Sequence, residues 1–297
     1  MISNSKLILP FKSRLSLFIC IFIICLILAS LIAGFILYKW GSTTASMRIA
    51  TVIQDLLVFI APALIISLMI TRLPADFLCL RKLPSFNASL ITILILLLSI
   101  PAMNFIVHCN ESIILPDAFK GFEDWLKQTE ENSRNSINIL LGAPTIGNLI
   151  MSILIVGLLT GLSEELLFRG ALQNIICSKP INYHVAIWIT AILFSIMHMQ
   201  FYGIIPRILL GAFFGYLAIW SGSIWLPIIA HSFNNIMVVV STWLIAHNTT
   251  NIDINKIAIE ITPESIFLIS VSIIATFIAI VKLKRIISKN NKKHTSL

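Results

Sequence analysis

Residues 149–170 read LIMSILIVGLLTGLSEELLFRG, and this stretch decides the fold class. Its first part, up to Leu162, is almost entirely apolar, as in the middle of a membrane-spanning helix. Glu164, Glu165 and Arg169 follow directly. A charge at the centre of a bilayer costs about 2.5–3.5 kcal/mol on insertion scales. The stretch therefore predicts a functional site inside a bundle of membrane helices.

The composition extends the membrane prediction to the whole chain. Of its 297 residues, 58% are hydrophobic and 11% are charged, whereas a soluble domain carries about 25% charged residues. Backbone groups that face lipid must be hydrogen-bonded within the protein, so we expect an all-α, polytopic helical bundle. Strand-like alternation is lacking, which disfavours a barrel. The five cysteines form no CxxC pair, so neither a disulfide framework nor a thiolate metal site is predicted.

About eight runs are long and apolar enough to be transmembrane helices. They cover Leu15–Tyr38, Ile49–Ile70, Ala88–His108, Thr145–Asn174, His184–Phe201, Ile204–Trp220, Ile224–Ala246 and Ser265–Ile287. With both termini cytoplasmic, most loop Lys and Arg residues lie on the cytoplasmic side, and Lys39 and Arg48 are exceptions. The basic tail after Ile280 then favours a membrane anchor over nucleic-acid binding, so the expected partner is the lipid bilayer and not a nucleic acid.

The chain divides into three segments. Residues 1–144 hold three helices and an acidic outer loop, residues 145–246 form a core that contains the polar motifs described next, and residues 247–297 hold the last helix and the basic cytoplasmic tail. The outer loop contains PDAFKGFEDWLKQTEENSRNSI, residues 116–137. This pattern predicts an amphipathic helix at the outer interface, with its large apolar side chains on one side: Phe119, Phe122, Trp125 and Leu126.

The first polar constellation is Glu164-Glu165-x-x-x-Arg169. Glu165 and Arg169 are four residues apart on a helix, so their side chains share a face and can pair. Glu164 points about 100° away and is left free to face another group. The alternative is one buried network that only holds helices together.

Two further constellations carry imidazole groups. Phe194-Ser-Ile-Met-His198 lies on the fifth predicted helix, and His231-Ser-Phe-Asn-Asn235 lies on the seventh. His231 and Asn235 are four apart and face the same way, so they can donate hydrogen bonds to a developing oxyanion. The alternative for each constellation is an interhelical hydrogen bond without a chemical role.

Together the three constellations suit hydrolysis by an activated water, because a carboxylate or an imidazole can take its proton. Glu164, His198 and His231 are also a chemically plausible set of ligands for a divalent metal such as zinc, with a fourth position for water. The common HExxH pattern of zinc proteases is absent. Counted along its helix, Glu164 lies roughly 15 Å from the cytoplasmic end. The corresponding distances are roughly 21 Å for His198 and roughly 10 Å for His231. These depths disagree unless the Ser221–Ser223 turn is sunk into the protein or the helices tilt.

Pairs of glycines predict close helix packing near the site. They are Gly157-xxx-Gly161 and Gly211-xxx-Gly215. Such spacing is also common in transporters, and a proton-coupled transporter with a Glu164–His198 relay is an alternative function. The lack of an internal repeat disfavours it.

In chain order, the three constellations resemble the EExxxR, FxxxH and HxxxN motifs of the CAAX-protease and bacteriocin-processing (CPBP, or Abi) family of intramembrane proteases. That family includes the type II CAAX prenyl endopeptidases. The similar region covers residues 146–240. The resemblance implies an intramembrane endopeptidase that acts on a hydrophobic, membrane-associated or prenylated peptide. A bacterial plasma (inner) membrane is the expected location.

The resemblance also implies roles for the motif residues. Glu164 would activate water with the help of His198. His231 and Asn235 would form the oxyanion hole. The supporting residues would be Glu165, Arg169 and Phe194. The family has been described as metalloproteases and as glutamate proteases, so metal dependence is left open, and a non-catalytic bacteriocin-immunity or membrane scaffold protein of the same fold is the main alternative.

Overall fold

A computed structural model describes residues 7–113, 115–179, 181–246, 257 and 262–295, with side chains up to residue 290. Within these residues the chain is helical, and the pairing of extended backbone is limited to an isolated bridge between Leu7 and Thr71. The prediction of an all-α helical bundle is confirmed.

Nine helices, α1 to α9, organise the described residues. Their bounds are Phe11–Trp40, Thr44–Ile70, Phe86–Glu111, Lys120–Leu141, Ile146–Cys177, Tyr183–Met197, Ile204–Ser221, Trp225–Ala246 and Pro263–Thr295. Seven of them, all except α4 and α6, are long and apolar enough to cross a membrane. The span predicted at His184–Phe201 is the shorter apolar helix α6. The protein is therefore an integral membrane protein.

Local capping explains several helix boundaries. Thr43 and Ser46 form a reciprocal capping box at the start of α2. The Thr145 and Asn182 side chains accept hydrogen bonds from backbone N–H groups at the starts of α5 and α6. Helix α7 ends at Gly222, whose φ of 62° is left-handed and favours glycine.

Helix α5 is the centre of the bundle, and its residues 163–173 are buried throughout. One buried apolar cluster joins it to α1, α2 and α6. A second cluster joins α3, α7, α8 and α9. Phe194 belongs to the first cluster and Phe214 to the second, and both rings contact the ring of His231. The polar motifs therefore lie where the two clusters meet.

The glycine pairs lie at close helix contacts, as predicted. A Cβ atom on Gly161 would lie 3.0 Å from the backbone nitrogen of Ser232 on α8. A Cβ atom on Gly211 of α7 would lie 3.3 Å from the Cα atom of Ala191 on α6. Helix α5 also contains two π-helical segments, Ile153–Leu159 and Leu166–Leu172, on either side of the two glutamates. Such segments are frequent at functional sites.

The turn between α7 and α8 is sunk into the protein. Ser223 and Ile224 are fully buried. The Ser223 hydroxyl donates to the Lys82 carbonyl, the Ile224 N–H donates to the Cys79 carbonyl at 3.1 Å, and the Trp225 indole N–H donates to the Leu80 carbonyl at 2.7 Å. The loop between α2 and α3 thus covers this turn.

The outer-loop helix predicted from the amphipathic pattern is present as α4. Leu126 is buried, whereas Phe119, Phe122 and Trp125 are about half exposed. Arg48 fixes the end of α4, because its guanidinium donates to the carbonyls of residues 140 and 141 at 3.1 and 3.0 Å. Arg48 is one of the two exceptions to the cytoplasmic placement of Lys and Arg. Location of α4 at the membrane interface stays a prediction.

Candidate active site

Glu165 and Arg169 form the pair that their spacing predicts. Arg169 Nη1 lies 2.6 Å from Glu165 Oε1, and both side chains are fully buried. Arg169 Nη2 donates to the Gly211 carbonyl at 2.8 Å. The guanidinium also lies 4.8 Å from the centre of the Phe194 ring, within cation–π range. The pair therefore links α5 to α6 and α7.

His231 is held by the same carboxylate. Its Nδ1 lies 2.8 Å from Glu165 Oε1. A carboxylate accepts hydrogen bonds, so Nδ1 carries the proton, and Nε2 presents a lone pair when the ring is neutral. Nε2 lies 3.7 Å from Glu164 Oε2. The Phe214 ring stacks on the imidazole with centroids 5.1 Å apart. Glu165 therefore orients His231 toward Glu164.

His198 is placed in a similar way at the end of α6. Its Nδ1 lies 2.8 Å from the Phe194 carbonyl, which can only accept, so this nitrogen also carries the proton. Nε2 lies 4.0 Å from Glu164 Oε1. Both imidazoles thus turn Nε2 toward one carboxylate.

Glu164 is buried but lacks a hydrogen bond to any described residue. The two imidazoles are its polar neighbours, at 4.0 and 3.7 Å, beyond ordinary hydrogen-bond length. A buried carboxylate in this state has lone pairs available for a further ligand, such as water.

Asn235 is placed near His231, but its side chain is anchored elsewhere. Its Nδ2 donates to the Val156 carbonyl on α5 at 3.1 Å. An amide NH₂ group has two donor hydrogens, so one is left for another acceptor. Both Asn235 and His231 line the same cavity.

This cavity has a volume of about 390 Å³ and is bounded by α3, α6, α7, α8 and Gly203. Its size falls within the range of about 300–1,000 Å³ that is typical of ligand pockets. Its wall combines apolar side chains of α3 and α8 with His198, His231 and Asn235. Glu164 is outside the wall, behind the two histidines that are in it.

The model of the family described as "Type II CAAX prenyl endopeptidase Rce1-like" matches residues 146–237. Residues 146–237 are therefore similar to the type II CAAX prenyl endopeptidases. The matched segment contains every motif residue of the site, and the predicted resemblance is confirmed. Comparisons with curated proteins and with solved structures yield no match.

The possible zinc ligands of this segment are not grouped as a metal site in the part of the chain that the structure describes. Among the described residues, no three His, Cys, Asp or Glu side chains lie together so that they could hold a metal ion. Nε2 of His198 and Nε2 of His231 approach different oxygens of Glu164, at 4.0 and 3.7 Å.

Two charged residues near the CPBP motifs were missed by sequence reasoning. Asp55 on α2 is buried and accepts hydrogen bonds from Thr160 Oγ1 at 2.9 Å and from Ser163 Oγ at 3.1 Å, next to Glu164. Arg207 on α7 lines the cavity. Each lies inside an apolar run, so the criterion that singled out Glu164 would also have found them.

Proposed function

We propose that the protein is an intramembrane endopeptidase that hydrolyses a peptide bond in a hydrophobic or prenylated, membrane-associated substrate. One observation carries the proposal: the imidazole Nε2 atoms of His198 and His231 lie 4.0 and 3.7 Å from the unpaired carboxylate of Glu164. The match of this segment to a protease family supports the same class of reaction.

Glu164 and His198 are the residues that activate water. A water molecule at hydrogen-bond distance from both Glu164 Oε1 and His198 Nε2 fits beside the line that joins them, because these atoms are 4.0 Å apart. Each then accepts one of its protons. Glu164 takes the proton fully as the water oxygen bonds to the peptide carbonyl carbon.

His231 and Asn235 stabilise the negative oxygen of the tetrahedral intermediate. Asn235 uses the amide hydrogen that Val156 does not bind. His231, as an imidazolium, donates a hydrogen bond from Nε2. The carboxylate of Glu165, which is hydrogen-bonded to Nδ1, stabilises the positive charge of the ring. The C–N bond breaks when Glu164 passes its proton to the leaving amine, which restores the free carboxylate.

The setting of this site is the lipid bilayer. The apolar walls of the cavity suit a hydrophobic or lipidated peptide, and the apolar helices around it suit a substrate that partitions into membranes. A bacterial plasma membrane is part of the proposal, and the distribution of Lys and Arg supports the placement of both termini on the cytoplasmic side. No nucleic-acid partner is proposed.

The test is cleavage by the purified protein in liposomes, with a panel of prenylated CAAX peptides and hydrophobic leader peptides. Glu164→Gln and His198→Ala should each lower kcat/KM by about 10²–10⁴-fold, since general-base catalysis contributes that much. Glu131→Gln is the matched control, because Glu131 is exposed on α4 outside the site. Each protein is assayed with and without a chelator, which reports on metal dependence.

The outcomes separate the functions. Equal cleavage by all variants would refute this active site. A binding or scaffold protein would keep its partner in Glu164→Gln, whereas a protease would lose turnover. If no peptide on the panel is cleaved, the immunity or scaffold alternative is favoured.

A further inference from the structure

Arg207 is a charged residue of the cavity wall that the proposed mechanism does not use. It lies near the start of α7 and lines the same cavity as His198 and His231. Its side chain is partly exposed to this space. A charge at this position inside an apolar helix is costly unless it meets a counter-charge or performs a function.

In the described part of the chain no carboxylate pairs directly with Arg207, and Glu130 and Glu164 act on its charge only from beyond 4.0 Å. Arg81, Arg134 and Arg169 each lie within 4.0 Å of a carboxylate, whereas no described carboxylate lies within that distance of Arg207. Its recorded hydrogen bonds go to Gln200: Nη2 to the side-chain oxygen at 2.7 Å and Nη1 to the backbone carbonyl at 3.4 Å. Both acceptors are neutral, so they hold the guanidinium without balancing its charge.

Gly203 helps to keep this guanidinium at the cavity wall. A Cβ atom at Gly203 would lie 3.0 Å from Arg207 Nη2, so a larger residue would displace the charged group. Gly203 itself lines the cavity. The guanidinium carries five N–H donors, and Gln200 takes two of them. The remaining three have no acceptor among the described residues.

We propose that Arg207 binds a carboxylate of the peptide substrate and thereby selects which peptides are cleaved. The inference rests on the proposed function, because it assigns part of the same cavity to substrate recognition. A planar guanidinium matches a carboxylate with two parallel hydrogen bonds, and this pairing is strong where water is scarce. The carboxylate is either the C-terminus of the substrate or an acidic side chain near the scissile bond.

The test compares peptides that differ only in charge. One pair has a C-terminal acid or a C-terminal amide, and a second pair, both amidated, has Glu or Gln near the scissile bond. Wild type should favour the charged member of one pair by about tenfold or more in kcat/KM, mainly through KM. Arg207→Gln should bring this ratio close to one, and Arg207→Lys should retain part of it.

The matched control is Arg72→Gln, which removes an exposed arginine that does not line the cavity and should leave the ratio unchanged. The pair that shows the preference identifies the source of the carboxylate. Absence of any preference in wild type, or an unchanged ratio in Arg207→Gln, would overturn the proposal. A purely structural role of Arg207 would lower turnover of both members of a pair equally.

A binding measurement separates this inference from the proposed function. Affinities of the same fluorescent peptides are measured for Glu164→Gln with and without the second change Arg207→Gln. If wild type cleaves nothing, the protease proposal fails, while an affinity difference that depends on Arg207 would still support carboxylate binding. Equal affinities, or no binding of either peptide, would refute it.

Discussion

Two adjacent glutamates lie in opposite surroundings. Glu165 is fully buried, and its Oε1 is shared by Arg169 Nη1 at 2.6 Å and His231 Nδ1 at 2.8 Å. Glu164 has no hydrogen bond to a described residue and faces His198 and His231 across gaps of 4.0 and 3.7 Å. We call these surroundings the paired half and the open half of the site. The carboxylate of the paired half holds helices together through Oε1, although its Oε2 has no hydrogen bond, whereas neither oxygen of the open half is hydrogen-bonded to a described residue.

The largest expected difference in stability comes from neutralising each glutamate in turn. Glu165→Gln should lower the free energy of unfolding by about 3–5 kcal/mol, because Arg169 is left buried without its carboxylate. Glu164→Gln should leave it nearly unchanged, because that carboxylate has no close partner to lose. Thermal unfolding in detergent measures both. Equal destabilisation by the two variants would show that the halves do not differ in this way.

A substitution in the close packing beside the paired half should lower the free energy of unfolding by less than the loss of Glu165. Gly161→Ala should destabilise the protein by about 1–3 kcal/mol, since the added methyl group would overlap Ser232 and push α8, which carries His231, away from α5. Gly34→Ala on α1 is the matched control, because no atom lies within 4 Å of its added Cβ. The same unfolding assay applies. A Gly161→Ala protein as stable as the control would argue against close contact between α5 and α8.

An exposed ion pair should give the smallest effect. Arg134 Nη2 lies 3.2 Å from Glu111 Oε1, but these side chains are 62% and 44% exposed. Arg134→Ala should therefore change the free energy of unfolding by less than about 1 kcal/mol, and less still at high salt. A loss as large as that of Glu165→Gln would show that burial does not set the strength of these pairs.

Much of this fold follows from local sequence. The apolar runs predicted the spans to within a few residues, since length and hydrophobicity are properties of each helix alone. The Glu165–Arg169 pair was predictable for the same reason, because both residues lie on one helix.

The meeting of the three motifs was expected from the family resemblance but was not predictable from residue spacing, because it depends on how separate helices are placed. The predicted inner end of α5 was Asn174, whereas the helix continues to Cys177 and adds three residues to the depth of Glu164. The buried Ser223 shows that the α7–α8 turn also begins deeper in the protein. The bond between His231 and Glu165 joins residues 66 positions apart, so local spacing carries no sign of it.

The contacts that cover the α7–α8 turn have a consequence for tolerance to mutation. Their acceptors are main-chain carbonyls of Cys79, Leu80 and Lys82, whereas two of their donors are the side chains of Ser223 and Trp225. A carbonyl is present whatever side chain its residue carries. The acceptor segment is thus free to vary at Leu80 without losing its bond. The positions that need a particular side chain are Ser223, Trp225 and Lys82, whose ammonium donates to the Ser221 carbonyl at 2.6 Å.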